Sequence, residues 1–145
     1  MAGGFIAGVQ SPGVSYNMNT AVTYAGTLLK KNTVANEMDL CGAGERPDGY
    51  AMKSSENLAG TAVADVQVAV LPLINGNVVE MVLLATNVAI AIGDALETVA
   101  LGRIDKKDGA GEIVGFALEA ADANDGAAAA TCHIKVLVNQ YTASA

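Results

Sequence analysis

Residues 48–71, DGYAMKSSENLAGTAVADVQVAVL, lie without a gap over residues 114–137, VGFALEAADANDGAAAATCHIKVL. At this offset of 66, Gly49 falls on Gly115, Tyr50 on Phe116, Ala51 on Ala117, Met52 on Leu118, Gly60 on Gly126, Val68 on Ile134, Val70 on Val136 and Leu71 on Leu137. Upstream, AGTLL around Gly26 falls on IGDAL around Gly93 after a one-residue slip, and DLCGAGE falls near KKDGAGE. The order is the same in both places: a turn with Gly, a strand, a glycine spacer, a Gly-aromatic-Ala strand, a small-residue loop and a Val-rich strand. Internal repeats over about 26–74 and 93–139 are therefore expected. Each carries about three short strands, too few to bury both faces alone, so the halves should share one core across a pseudo-twofold.

The pattern inside each repeat has period two. In VQVAVLPLI, Val66, Val68, Val70, Pro72 and Ile74 share one face, and in the closing TCHIKVLVN so do Cys132, Ile134, Val136 and Val138. Asn75-Gly76 accepts positive φ at both central positions of a tight turn, which predicts a hairpin over 66–85. ALETVALGRI and EIVGFALE flank the turn-rich DKKDGAG and extend the second half as an antiparallel meander. Aromatics are 4% of the chain and Trp is absent, so Val, Ile, Leu and Ala must build the core. The expected fold class is mainly β, a small barrel, β-tulip-like or sandwich domain over 21–145, built from a duplicated unit.

Residues 1–20, MAGGFIAGVQSPGVSYNMNT, differ in kind, with glycines, Pro12 and polar residues around isolated apolar ones. They read as a flexible N-terminal arm, in which Phe5, Ile6, Val9 and Tyr16 are candidate attachment residues.

Chemistry-bearing residues are sparse. His133 is the only histidine, and alternation sets it with Lys135 and Asn139 on the polar face of the last strand, a surface position with no nucleophile or carboxylate at catalytic spacing. Asp122 and Asp125 of DANDG lack calcium-loop spacing and read as solvated turn residues. GAGE at 42–45 and 109–112 is too short for a phosphate-binding loop. Glu37, Asp39, Glu45, Arg46 and Asp48 form a mixed-charge connection. Cys41 and Cys132 read as two small buried thiols rather than a disulfide. No catalytic residue, metal site or cofactor is expected. A net charge of −7 opposes nucleic-acid binding, and no apolar run reaches membrane-spanning length, so the chain reads as soluble and uncleaved.

IGDAL, GAGEIVGFALEAADA and the closing HIKVLVN resemble the DUF2190-type capsid decoration, or cement, proteins of tailed phages, most closely over residues 92–139. The earlier GYAMKSS unit fits more loosely, and the long N-terminal extension and Pro47 depart from the pattern. The resemblance implies a small β subunit on the outer face of an icosahedral head, with the major capsid protein as partner, homo-oligomeric as trimers, and made in the host cytoplasm. Two other readings lack support in the residues. A carbohydrate- or surface-binding β-sandwich needs an aromatic platform, for which four Tyr and no Trp are a poor supply. A small β-barrel enzyme needs a convergent polar site.

Overall fold

A computed structural model describes residues 14–109 and 111–143. Five strands, β1 (Val14–Met18), β2 (Leu28–Lys31), β3 (Glu37–Leu40), β4 (Gly49–Ala51) and β5 (Gln67–Pro72), close a barrel in the order β1-β3-β2-β4-β5. Five more, β6 (Val78–Val82), β7 (Ala95–Val99), β8 (Arg103–Lys106), β9 (Gly111–Ala117) and β10 (His133–Ala143), form a sheet in the order β6-β10-β9-β7-β8. Followed round from its first strand, each unit has the same strand order, and the fold is mainly β, a closed barrel with a second sheet.

The ladders carry the sequence offset. Gly49, Tyr50 and Ala51 face Pro72, Leu71 and Val70, as Gly115, Phe116 and Ala117 face Val138, Leu137 and Val136. Leu29 pairs with Gly49 and Leu96 with Gly115, and Lys31 pairs with Met38 as Thr98 does with Ile104, which places the one-residue slip after β2 and β7, in the turns to β3 and β8. The single parallel contact is kept as well: Met18 pairs with Met38, and Leu83 with Ile104. In the first unit this contact is a ladder that closes the barrel. In the second it is one isolated bridge, and the seam between β6 and β8 stays open.

Alternation sorts the side chains. Met18, Val22, Leu29, Met38, Ala51, Val68 and Val70 fill the first barrel. Met81, Leu83, Ile90, Leu96, Ile104, Ile134, Val136 and Val138 fill the second unit, and the same cluster takes in Leu28 and Cys41 from the first. Gly49, Ala51, Gly115 and Ala117 point inward, because a Cβ on Gly49 or Gly115 would meet the carbonyl of Leu71 or Leu137 on the next strand. The larger Tyr50, Met52, Phe116 and Leu118 take the outer side.

Four sequence expectations give way here. Residues 66–85 are not a hairpin: β5 pairs with β1 and β4 while β6 pairs with β10, and Asn75-Gly76 lies in the connection between units. The second half is not a meander, since β7 pairs with β9 and leaves β8 at the edge, and ALETVALGRI holds two strands around the 3-10 turn Ala100–Gly102. The arm cannot extend to residue 20, because Val14–Met18 is a barrel strand and Met18 is fully buried. Finally, the units are not exchanged by a twofold. A Cβ on Gly26 would run into the Glu80 carbonyl, whereas one on the equivalent Gly93 would meet nothing within 4 Å.

Candidate functional site

Of the residues singled out for attachment, Phe5, Ile6 and Val9 lie outside the described residues. Tyr16 sits on β1, half-buried, in a groove of about 280 Å³ with Val14, Lys31, Met38, Asp48, Val70 and Pro72. Its backbone is held in register opposite Val68, so it belongs to the barrel wall. Local sequence hid this: Ser15, Asn17 and Asn19 interrupt the apolar pattern, and the pairing partners lie some 20 and 50 residues downstream.

The second groove, also about 280 Å³, runs along the unit junction between Ala25, Gly26, Tyr50, Met52 and Leu71 on one side and Val78, Glu80 and His133 on the other. His133 is not a free surface residue. Its ring lies edge-on to Tyr24, its Nε2–H donates to the Ala25 carbonyl at 2.8 Å, and its Nδ1 lies 3.1 Å from the Cys132 sulfur, whose thiol donates to the Ala129 carbonyl. The imidazole thereby ties β10 to the first unit. Further across the junction, Gly102 N–H donates to the Cys41 carbonyl at 2.8 Å and Gly44 N–H to the Thr98 carbonyl at 3.0 Å. A Cβ on Gly102 would run into the Leu28 carbonyl. The first GAGE copy is thus a docking loop.

The remaining polar residues build turns. Asp125 accepts from the Asp122 N–H at 2.8 Å, and Asn124 takes the left-handed conformation with φ of 66°. Asn87, which sequence reasoning passed over, is buried beneath this loop. Its Nδ2 donates to the Asp122 and Val88 carbonyls and its Oδ1 accepts from Gly126 N–H. In the mixed-charge segment, Lys30 pairs with Glu45, which also accepts from Gly42 N–H, and these contacts hold the Glu45 carboxyl below its usual range. Asp48 accepts from Lys31 N–H at 2.8 Å, and Arg46 reaches Glu112 at 3.9 Å. Cys41 and Cys132 are separate, buried thiols. Burial pushes Cys41 up to about 12, with Glu45 adding to the shift, so it is no nucleophile near neutrality. Among the described residues no group of three or more His, Cys, Asp or Glu could hold a metal ion, and no helix is long and apolar enough to cross a membrane.

What the arrangement offers is surface: two docked β units, grooves of modest size and apolar side chains spread over the outside. The fold is similar to that of a phage head-fiber base. The matched structure is the crystal structure of the N base of head fiber gp8.5 in bacteriophage phi29, with a TM-score of 0.62 and 16% identity, over 87% of this chain and 92% of that one. At that identity the likeness is one of fold. No family model matches the chain, and no curated protein matches it in sequence.

Proposed function

We propose that this chain is a structural protein of a phage virion, which binds the outer surface of an icosahedral head and stabilises the shell. The observation that carries the reading is the fold match to the head-fiber base along nearly the whole of both chains. The resemblance of IGDAL, GAGEIVGFALEAADA and HIKVLVN to decoration-protein motifs supports the same reading. The proposed partner is the major capsid protein. A net charge of −7 suits an outer surface and disfavours contact with packaged nucleic acid. The role asks for no active site.

Attachment is assigned to the N-terminal segment together with Tyr16. Phe5 and Ile6 could each contribute roughly 1.5–3 kcal/mol on full burial. The test mixes purified protein with undecorated heads and follows co-sedimentation. Saturable binding to heads, weak binding to unassembled capsid protein and reduced occupancy on deletion of residues 2–13 are expected. Equal binding to unassembled capsid protein would remove the preference for an assembled shell, and no binding to heads would refute the reading.

A further inference from the structure

A third groove, of about 300 Å³, lies where the units meet, between Ala21, Tyr24 and Leu40 of the first and Val82, Leu101 and Arg103 of the second. Two of its residues are not explained by folding. Leu101 takes the left-handed conformation, at φ of 63° and ψ of 32°, in the turn between β7 and β8. Three other non-glycine residues among those described have positive φ, and they are Asn36, Asp65 and Asn124, whose short polar side chains tolerate it. A leucine in that conformation is strained, and burial does not offset the strain, because Leu101 is 56% exposed. Docking of the units accounts for the backbone of this turn, since Gly102 N–H donates to the Cys41 carbonyl, but a backbone bond does not select leucine at 101. The other residue is Arg103, half-buried and the one charged side chain of the groove lining. Its Nε–H donates to the Ala100 carbonyl at 3.2 Å, which holds the guanidinium beside the turn. Its Nη groups have no carboxylate partner among the described residues.

We propose that this groove receives a side-chain carboxylate carried beside an apolar side chain on the surface of the assembled head, a choice of partner that rests on the function proposed above. With Nε occupied by Ala100, the Nη groups of Arg103 remain to bind both oxygens of a carboxylate as a fork. Leu40, Val82 and Leu101 supply apolar surface for the neighbouring side chain. A concave, mostly apolar site with one convergent charge, set between two units, is the usual form of a recognition site. A carboxylate fits better than the phosphates of nucleic acid, because a net charge of −7 repels a polyanion, whereas apolar walls strengthen a single short ion pair by excluding water. Leu101 then has a reason to stay where asparagine would be less strained: the turn presents an apolar side chain that is covered only when the partner binds. This contact is additional to the one assigned to the N-terminal segment and Tyr16.

The test measures the affinity of the full chain for undecorated heads by co-sedimentation, with circular dichroism to show that each variant folds. Arg103→Gln should weaken binding at least about tenfold, and Arg103→Lys, which keeps the charge and loses the fork, by less. Leu101→Asn should also weaken binding, yet leave the melting temperature of the free protein unchanged or raise it, because asparagine tolerates the left-handed turn. A lower melting temperature would show that leucine serves the fold and overturns the proposal. Heads whose surface carboxylates are amidated with a carbodiimide and ethanolamine should bind the wild type no better than Arg103→Gln, and should bind Arg103→Gln as untreated heads do. Undiminished binding of the wild type to amidated heads overturns the proposal. Wild type that binds no heads refutes the proposed function and the groove's partner together, whereas equal binding by the wild type, Arg103→Gln and Leu101→Asn refutes the groove alone. Other occupants are detected in the same series. If deletion of residues 2–13 removes the effect of Arg103→Gln, the chain's own N-terminal segment fills the groove, and if Arg103→Gln alters the sedimentation of the free protein, a second copy does. Either result overturns the proposal.

Discussion

Gly49 and Gly115 show how much one missing methyl group decides. Neither needs positive φ; what each needs is room, since a Cβ would meet the carbonyl of the neighbouring strand and a Val Cγ1 at 2.9 Å or closer. Gly115→Ala should therefore cost about 1–3 kcal/mol as an overpacked site, and Gly49→Ala a similar amount, read as a lowered thermal midpoint. A gain for either would mean that the strands separate freely. The thiols make a second residue-scale prediction. In the native protein near neutral pH, neither Cys41 nor Cys132 should react quickly with an alkylating reagent, and both should react after unfolding. Cys41 also couples stability to pH. Its folded value is raised from 9.0 to about 12, so its contribution is full below 9.0 and fades as pH rises toward 12. Raising pH from about 8 to about 11 should lower the melting temperature of the wild type more than that of Cys41→Ala. An equal fall in both would remove Cys41 from the account.

At the scale of elements, strand partners rather than strand propensity control the outcome. β1 contains only five residues, two of them polar, and its hydrogen bonds go to β5 and β3. Deleting residues 2–13 should leave the melting transition within a degree or two, because every ladder described begins at Val14 or later. Deleting 2–18 should abolish cooperative unfolding of the first unit, since it removes Met18 and bares Met38, Val68 and Val70. If the longer deletion melts like the shorter one, β1 is not part of the barrel. The alternation that marks β5 and β10 was legible because it is local: Val68 and Val70, and Ile134, Val136 and Val138, are all buried as period two requires. The Asn75-Gly76 turn was legible in part: Asn77 N–H closes it on the Ile74 carbonyl and Gly76 takes φ of 96°, but Asn75 does not take the positive φ expected of it. The hairpin inferred from it was not there, because a tight turn constrains only its own few residues while ladders to β4, β1 and β10 determine where the flanking strands go.

At the scale of the whole molecule, the first unit completes the second. Leu28 belongs to the first unit by sequence and to the second unit's cluster by contact, beside a β6–β8 seam joined by the Leu83–Ile104 bridge and the Leu84 N–H bond to the Ile104 carbonyl. Leu28→Ala should cost about 2–5 kcal/mol. Hydrogen exchange should rise more at Leu83 and Leu84 than at Met18. Leu29→Ala, which empties the first barrel instead, should show the reverse order. Uniform loss of protection in both variants would mean that the units unfold as one body and that Leu28 has no special bearing on the seam.

By itself the sequence determined what depends on short range and on self-comparison: the β pattern, the repeat with its offset of 66 and its one-residue slip at Gly26 and Gly93, the inward run of the last strand, and the scarcity of reactive groups. These are read along the chain or by sliding it over itself. Only the tertiary structure decided that Val14–Met18 is a wall rather than an arm, that β5 and β6 part company, and that His133 serves as a tie between units. It also decided that Leu28 is fully buried while its counterpart Ala95 is not. Each of those depends on contacts between residues tens of positions apart, where an amide or an apolar face is satisfied by whichever partner the closed barrel brings to it. Leu28 and Ala95 hold equivalent positions in the two units, and the asymmetric docking of one unit on the other made the first a core residue and left the second half-buried.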